Sequence, residues 1–259
     1  MSGALVIASR DLMAVVRSRS QLYSSMFTPL LFLVFLGNGV SQGLEPSNLP
    51  DGNFTAYLVA GAVVMTSVFS STFSSASYYR DRDSGLLRLL LSAPLHPRAL
   101  LLGKSLAALV IGVIQAMVVL LVAAPFVDFE WQYGVIPGLL IAVAAIVLLN
   151  LMLTGLAQAL ASRIQTMQGF HLLMNLALFP LLFFSGAFFP IDGLPAWLRV
   201  LALANPLTYA VDALELAVYA SSDATFIGLG IDFTILGTLA AATYLLGLSR
   251  TPKLTYSGS

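Results

Sequence analysis

Six long apolar segments constrain this chain more than any other feature of its sequence. They lie at about residues 22–40, 54–78, 99–125, 135–160, 168–189 and 226–248. A helix needs roughly 20 apolar residues to cross the hydrocarbon of a bilayer. Helices satisfy every backbone hydrogen bond within the segment, and no strand-like alternation competes here. The sequence therefore predicts an all-α polytopic membrane protein with six transmembrane helices.

The composition excludes several functional classes. Of the 259 residues, 58% are hydrophobic and only 9% are charged, whereas a soluble domain carries about 25% charged residues. The chain contains no cysteine, which excludes a disulfide framework, a thiolate nucleophile and a cysteine metal site. Most of the surface must therefore face lipid or other apolar protein.

The N-terminal stretch, residues 1–21, predicts an amphipathic helix. Leu5 and Leu12 recur at helical spacing, and Arg10 and Asp11 interrupt the apolar run. A secretory signal peptide needs an unbroken apolar core, which this stretch lacks. We expect a helix that lies in the membrane interface.

The basic residues predict the orientation of the chain. Eleven of the twelve fall on one side of the predicted membrane and only Arg199 falls on the other, and cytoplasmic segments carry the excess of Lys and Arg. We therefore predict a multi-pass protein of the plasma (inner) membrane with both termini cytoplasmic, residues 251–259 forming a cytoplasmic tail. The eleven residues are Arg10, Arg17, Arg19, Arg80, Arg82, Arg88, Arg98, Lys104, Arg163, Arg250 and Lys253.

The densest run of charge lies between the second and third apolar segments, at residues 80–94, which we call the charged segment. It begins Arg80-Asp81-Arg82-Asp83 and continues as a leucine-rich stretch that ends at Pro94. One interpretation is a solvated loop that only satisfies the positive-inside bias. The other is a charged turn and short helix, at about residues 80–94, that contacts a cytoplasmic partner.

The connection before the last span, at about residues 186–220, is broken repeatedly by Gly and Pro. Its apolar pieces are too short to cross a bilayer, which is typical of re-entrant or interfacial helices. The chain also lacks a phosphate-binding Gly-rich loop, the His-Glu-x-x-His motif and the Gly-x-Ser-x-Gly motif. No catalytic, cofactor-binding or metal-binding residue is therefore predicted.

Polar and aromatic residues within the spans each have two interpretations. Asp232 is the one acid that could serve an ion pathway, and the serines of the second span either pack closely against neighbouring helices or line a polar path. The aromatic stripes form packing and lipid-facing surface or, alternatively, a surface for an apolar substrate. The aromatic residues proposed for a substrate path are Phe27, Phe69, Phe73, Phe179 and Phe183.

Residues 5–250 resemble the permease subunits of ABC-2 (type-2 ABC exporter) transporters. That family carries an N-terminal interfacial helix and, after its second span, a pattern like Arg-Glu-Arg-Glu-x-Gly-Thr followed by a leucine-rich coupling helix ending in Ser-Pro. Here residues 80–86 read Arg-Asp-Arg-Asp-Ser-Gly-Leu, and residues 89–94 read Leu-Leu-Leu-Ser-Ala-Pro. Residues 185–190, 194–198 and 205–214 match further family patterns. Asp81 and Asp83 replace the longer glutamates, which shortens their reach.

The resemblance implies that the charged segment couples this chain to a separate ATP-binding subunit. Two such ATPase subunits, which bind ATP and Mg, would drive a pair of permeases, here a homodimer, and this chain would bind no cofactor itself. The segment would fit a cleft on the ATPase: its charged flanks would fix the register, and its leucines would fill the cleft. The residues implied in coupling are Arg80, Asp81, Arg82, Asp83, Gly85, Leu86, Leu87, Arg88 and Leu90.

The resemblance also implies export across the lipid bilayer. Spans one and five would form the permease contact, and spans one, two and five the substrate path. The drug-export and nodulation-factor branch is the most similar, so we expect a hydrophobic or amphipathic cargo such as a drug-like molecule, a lipid or a lipid-linked glycan. No nucleic-acid partner is predicted. The alternatives are a membrane enzyme that acts on lipids and a non-transporting membrane scaffold.

Overall fold

The computed structural model of the protein describes the greater part of the chain, and the described part is helical. The predictions made for Leu87, Arg88, residues 91–94 and the tail at residues 251–259 concern residues outside the described ranges. The structure describes residues 3–43, 54–86, 89–90, 97–127, 129, 131, 133–161, 163–164, 166–189, 191, 194–218 and 227–249.

Within these ranges the secondary structure consists of helices and turns, with no strand, which confirms the all-α prediction. The main helices are α1 (Gly3–Arg17), α2 (Arg19–Gly43), α3 (Phe54–Ser75), α4 (Ser77–Asp83), α5 (Pro97–Ala123), α6 (Val135–Ala161), α7 (Met167–Phe183), α8 (Ala196–Leu203), α9 (Pro206–Val218) and α10 (Leu229–Ser249).

Four of the described helical stretches are long and apolar enough to cross a membrane: Tyr57–Asp83, Ala99–Phe126, Val135–Ala161 and Leu229–Ser249. Two bent pairs pass the same test, α1 with α2 at 63° and α8 with α9 at 87°. The fifth predicted span, 168–189, is a shorter helix of 17 residues, because Phe184 ends α7 and the chain turns at Gly186 with φ of +87°. The structure thus has the helices of a multi-pass membrane protein.

Helix α3 lies at the centre of the bundle and packs against α2, α5, α6, α7 and α9. Its small polar side chains allow these close contacts, as expected for helices that associate in lipid. Asn150 Nδ2 of α6 donates a hydrogen bond to Ser67 Oγ of α3 at 3.0 Å. Gln158 Nε2 of α6 likewise donates to Ser105 Oγ of α5 at 2.5 Å. Buried amides and hydroxyls therefore join the three central helices.

The amphipathic helix α1 packs along the first half of α5. A Cβ atom at Gly103 would lie 2.6 Å from the carbonyl oxygen of Ala4 and 2.7 Å from Ile7 Cβ. Ile7, Ala8, Asp11 and Val15 form the buried face of α1. Only a glycine at position 103 allows the two backbones to approach this closely.

The broken segment before the last span forms the sharply bent pair α8 and α9. Asn205 and Pro206 stand between the two helices, where Asn is a favoured N-cap and Pro a favoured first helical residue. The Asn205 Oδ1 atom accepts a hydrogen bond from the Leu207 N–H at 3.0 Å, and Thr208 Oγ1 donates to the Ala202 carbonyl at 2.7 Å. These local bonds explain why one apolar stretch folds as two short helices.

Candidate functional site

The charged segment begins inside a helix rather than in a turn. The four alternating charges, 80–83, lie in α4, which continues α3 after a break at Ala76. The turn comes afterwards: the N–H groups of Ser84 and Gly85 donate to the carbonyls of Arg80 and Arg82 at 3.0 and 3.1 Å, and Gly85 has φ of +75°. Helix α4 itself contains no glycine or proline, so nothing interrupts it between Ser77 and Asp83.

The predicted coupling residues divide into an outward and an inward set. Arg80 and Asp83 are exposed, whereas Asp81 is half-buried and joins an ion cluster. Leu86 lines a cavity, and Leu90 packs against the cluster formed by Ile7 and Leu100. Leu89, which the sequence did not single out, is 68% exposed. The outward set is therefore Arg80, Asp83 and Leu89.

Four charged residues from three helices form the ion cluster: Arg10, Asp11, Asp81 and Lys104. Lys104 Nζ donates to Asp81 Oδ2 at 2.5 Å and to Asp11 Oδ2 at 3.1 Å. Arg10 Nη2 donates to the same Asp81 oxygen at 2.6 Å and to Asp11 Oδ1 at 2.5 Å. A single oxygen of Asp81 thus receives both cations and joins α4 to α1 and α5.

Most of this cluster is shielded from solvent. The exposed fractions of the Lys104, Asp11 and Asp81 side chains are 6%, 9% and 14%. Partial burial by itself lowers the pKa of Arg10, but hydrogen bonds and charge from Asp11 and Asp81 outweigh that effect and raise its pKa above the ordinary value. Removing one partner from such a buried pair typically costs about 3–5 kcal/mol, because the other charge is left uncompensated.

Tyr79 anchors the other side of α4. Its hydroxyl donates to the carbonyls of Ile164 and Ala161 at 3.1 and 3.3 Å, at the C-terminal end of α6. Its ring is fully buried and lies 5.3 Å from the ring of Phe170 in α7. The Arg82 guanidinium stands 5.3 Å from the centre of the Tyr79 ring. Helix α4 is therefore held by α1 and α5 on one side and by α6 and α7 on the other.

From the sequence alone, Arg10 and Lys104 count toward the positive-inside bias, Leu89 belongs only to the leucine-rich stretch of the charged segment, and no partner is predicted for Asp11 and no role for Tyr79. The one available signal for the cluster is that Asp11 and Lys104 each interrupt an apolar helical face. Charges that interrupt an apolar face need partners. The pairing of residues 93 positions apart requires the fold.

The five aromatic residues proposed for a substrate path do not form one cluster. Phe69 of α3 meets Phe179 of α7 with ring centres 6.1 Å apart, and these two rings line a small crevice between the helices. Phe73 lies beside His171 at 6.2 Å, whereas Phe183 contacts Phe188 at 5.4 Å. Phe27 of α2 is 62% exposed. The structure brings together Phe69 and Phe179 from this set.

Three acidic residues lie at the opposite end of the bundle: Asp212, Glu215 and Asp232. Asp232 belongs to the first turn of α10, whereas Gly247 near the end of that helix lines the same crevice as Lys104. Asp212 Oδ2 accepts a hydrogen bond from the Gly228 N–H at 3.4 Å. Among the described residues no group of three or more such side chains is arranged to hold a metal ion. We call this the acidic end, and the end that carries the ion cluster the basic end.

The helices and the two charged ends define a class of protein: a multi-pass α-helical membrane protein with charged groups at both ends of the bundle. Comparison with known families then gives a narrower assignment. The ABC-2 type transporter family matches residues 3–219, which is most of the chain. The chain belongs to the ABC-2 type transporter family, and the resemblance seen in its motifs is confirmed.

Several relatives carry transport designations. The chain is 29% identical over 215 residues to the ycf38 protein of Cyanophora paradoxa, named as a transport permease, with 81% of this chain and 72% of the relative covered. It is 26% identical to YbhR of Escherichia coli strain K12, named as a probable multidrug ABC transporter permease, over 76% of this chain and 53% of YbhR. Nodulation protein J of Rhizobium leguminosarum bv. trifolii is 26% identical, over 76% and 73%. The chain is thus a membrane transporter permease subunit.

Proposed function

We propose that this permease exports a hydrophobic or amphipathic molecule with energy from a separate ATP-binding subunit that docks on the charged segment. ATP and Mg would be held by that subunit. One observation carries the proposal: α4 is anchored on both sides within the bundle while Arg80, Asp83 and Leu89 face outward. A partner that binds this surface can move the bundle, because α4 cannot move independently of the helices that anchor it.

The anchors define how such a movement would spread. A displacement of α4 acts on α1 and α5 through Asp81 and on the α6–α7 connection through Tyr79. Helix α3 follows directly, since α4 continues it. Packed helices shift between discrete arrangements rather than deforming continuously. We therefore expect ATP-driven closure of the partner to switch the bundle between two packings.

The cargo would follow the aromatic surface on α2, α3 and α7. Phe69 and Phe179 line a crevice between α3 and α7, and Phe27 and Phe183 are exposed on the flanking helices. Large exposed apolar side chains on α2 and α7 suit a contact with lipid, cargo or a second permease. We propose a homodimer with two ATPase copies, in a plasma membrane, with both termini cytoplasmic. The multidrug and nodulation designations of two relatives support an amphipathic cargo.

The test compares substitutions at three positions of the charged segment, Asp83, Gly85 and Leu89. A tagged chain is expressed in its native host, the captured ATP-binding subunit is identified by mass spectrometry, and ATPase activity is measured in nanodiscs. Leu89→Asp places a charge at the centre of the proposed contact and should reduce capture at least about tenfold, as for a central contact residue. Asp83→Arg and Gly85→Pro should leave membrane insertion normal but separate ATP hydrolysis from export of amphipathic dyes.

The matched control is Leu5→Asp, an equally simple change at a 45% exposed leucine of α1 that lies away from the outward set. It should capture the ATP-binding subunit as well as the unaltered chain. Equal capture by Leu89→Asp and Leu5→Asp would exclude Leu89 from the contact. Transport by the purified permease without any ATPase would overturn the proposal as a whole.

A further inference from the structure

Amide side chains within the spans have different surroundings. Asn150 of α6 donates a hydrogen bond to Ser67 Oγ at 3.0 Å. Gln158 of the same helix donates to Ser105 Oγ at 2.5 Å. Asn175 of α7 is exposed, and its side chain makes no hydrogen bond with the described residues. An amide that faces hydrocarbon without a partner is costly, because lipid tails offer neither donors nor acceptors. A partner from outside the bundle would remove that cost.

The position of Asn175 along α7 separates it from both ends of the helix. It is the central residue of the 17-residue helix Met167–Phe183. At a rise of 1.5 Å per residue, about 12 Å of apolar helix lies between Asn175 and either end. Polar side chains at such a depth in a membrane helix are costly and commonly mark a substrate pathway. The coupling role of the charged segment makes no use of this residue.

Asn175 lines the crevice between α3 and α7 that Phe69 and Phe179 also line. The remaining lining residues are apolar: Val68, Leu178 and Leu182. The amide is thus the one polar side chain among the described residues of the crevice. An amide donates and accepts hydrogen bonds but carries no charge. The crevice therefore suits an uncharged molecule that has an apolar body and a hydrogen-bonding group.

A second copy of the permease could also supply a partner, but Asn175 lies to one side of the surface that would meet it. Leu172, Leu176 and Phe183 are 71%, 72% and 51% exposed, and we call them the exposed ridge of α7. At 3.6 residues per turn, these side chains point about 60–100° away from Asn175 around the helix axis. A helix that packs on the exposed ridge would leave Asn175 beside α3, at the crevice.

We propose that Asn175 selects uncharged cargo by hydrogen bonding to a hydroxyl, amide or ester group while Phe69 and Phe179 contact the apolar body. The Nδ2 atom donates to a carbonyl oxygen, and the Oδ1 atom accepts from a hydroxyl or N–H group. A charged group finds no counter-ion among the residues that line the crevice and loses its hydration there. The inference rests on the proposed function, because it assigns the class of cargo that follows the aromatic surface.

The test uses the purified permease in nanodiscs without an ATP-binding subunit, so its outcome is independent of coupling. Three photoactivatable probes of equal chain length each carry a diazirine: an octanol, an octane and an octyltrimethylammonium ion. Mass spectrometry of peptides from α3 and α7 measures the labelling. Asn175→Leu, a change to a side chain of similar size, should lower labelling by the octanol about fivefold, the effect of one hydrogen bond. Labelling by the octane should not change.

The matched control exchanges two neighbouring side chains. Asn175→Leu combined with Leu176→Asn keeps the composition but moves the amide onto the exposed ridge, and the octanol should label this variant as weakly as Asn175→Leu alone. Three labelling results would each overturn the proposal: full labelling of Asn175→Leu by the octanol, restored labelling in the exchange variant, or equal labelling of the unaltered chain by the octanol and the trimethylammonium probe.

Native mass spectrometry of the same variants tests the second copy as the partner. Asn175→Leu should leave the oligomeric state of the purified chain unchanged. Conversion of a dimer to a monomer by this substitution would assign the amide to the contact between copies and would overturn the proposal. Failure to capture an ATP-binding subunit would overturn only the coupling function, because probe labelling requires no ATPase.

Discussion

The basic end and the acidic end of the bundle both bury carboxylates, but in opposite surroundings. Asp11 and Asp81 each accept bonds from Lys104 and Arg10 at 3.1 Å or less. Asp232 is fully buried and has no cationic partner among the described residues, and its neighbour is a second acid, Asp212, with which it can share a hydrogen bond. Burying a carboxylate without a partner costs far more than burying a paired one. The basic end is therefore a structural junction, whereas the acidic end places two carboxyl groups side by side without a cation between them.

The largest expected effect concerns Asp81. Asp81→Asn removes the charge that joins Arg10 and Lys104 across three helices, and we expect the free energy of unfolding to fall by about 3 kcal/mol. Unfolding of the purified chain in mixed micelles with increasing dodecyl sulfate measures this change. Asp83→Asn is the control, since Asp83 is 61% exposed and should change stability by less than about 1 kcal/mol. Equal effects of the two substitutions would contradict the conclusion that Asp81 joins three helices.

At the acidic end, a substitution is expected to change the free energy of unfolding in the opposite direction. Asp232→Asn replaces a buried carboxyl group beside Asp212 with a neutral amide of the same shape that can still donate to Asp212, and we expect stability to be unchanged or to rise by up to about 2 kcal/mol. The same unfolding assay places Asp232→Asn and Asp81→Asn side by side. A loss of stability in Asp232→Asn as large as that in Asp81→Asn would show that a cation pairs with Asp232 in the assembled protein.

The smallest expected effect on stability concerns two tyrosines, one near each end of the bundle. Tyr79 at the basic end donates to Ile164 and Ala161, and Tyr57 near the other end of α3 donates to the Gly186 carbonyl. Each Tyr→Phe substitution removes only a hydroxyl, and we expect each to cost about 1 kcal/mol. In the reconstituted transporter Tyr79→Phe should also lower the amount of cargo exported per ATP hydrolysed, whereas Tyr57→Phe should not. Equal export ratios would show that Tyr79 transmits no movement.

The sequence was sufficient for the helical class, the multi-pass character and the family. These depend on the lengths of apolar segments and on local residue order, which a sequence displays directly. The bent pair at Asn205-Pro206 was predictable for the same reason, since capping residues act on their near neighbours. The early end of the fifth span at Phe184 was not predicted, although Gly186 follows closely in the chain.

The ion cluster could not be predicted, because Asp11 and Lys104 lie 93 positions apart and each alone resembles a solvated interfacial charge. The sequence also could not predict that two adjacent leucines, Leu89 and Leu90, face different surroundings. Leu90 packs against Ile7 and Leu100, and Leu89 faces outward, which depends on how the chain leaves the turn at Gly85. Long-range pairing and side-chain direction need the packed structure, whereas helix content does not.

The close approach at Gly103 has a mechanical consequence for the surrounding bilayer. Because a Cβ there would lie 2.6 Å from the Ala4 carbonyl oxygen, α1 and α5 touch backbone to backbone and must tilt as one rigid body. Helix α1 carries exposed apolar side chains that we place among the headgroups. Each swing of α5 would then press or lift a patch of one leaflet, so the stiffness and curvature of the membrane would oppose or assist the transport cycle.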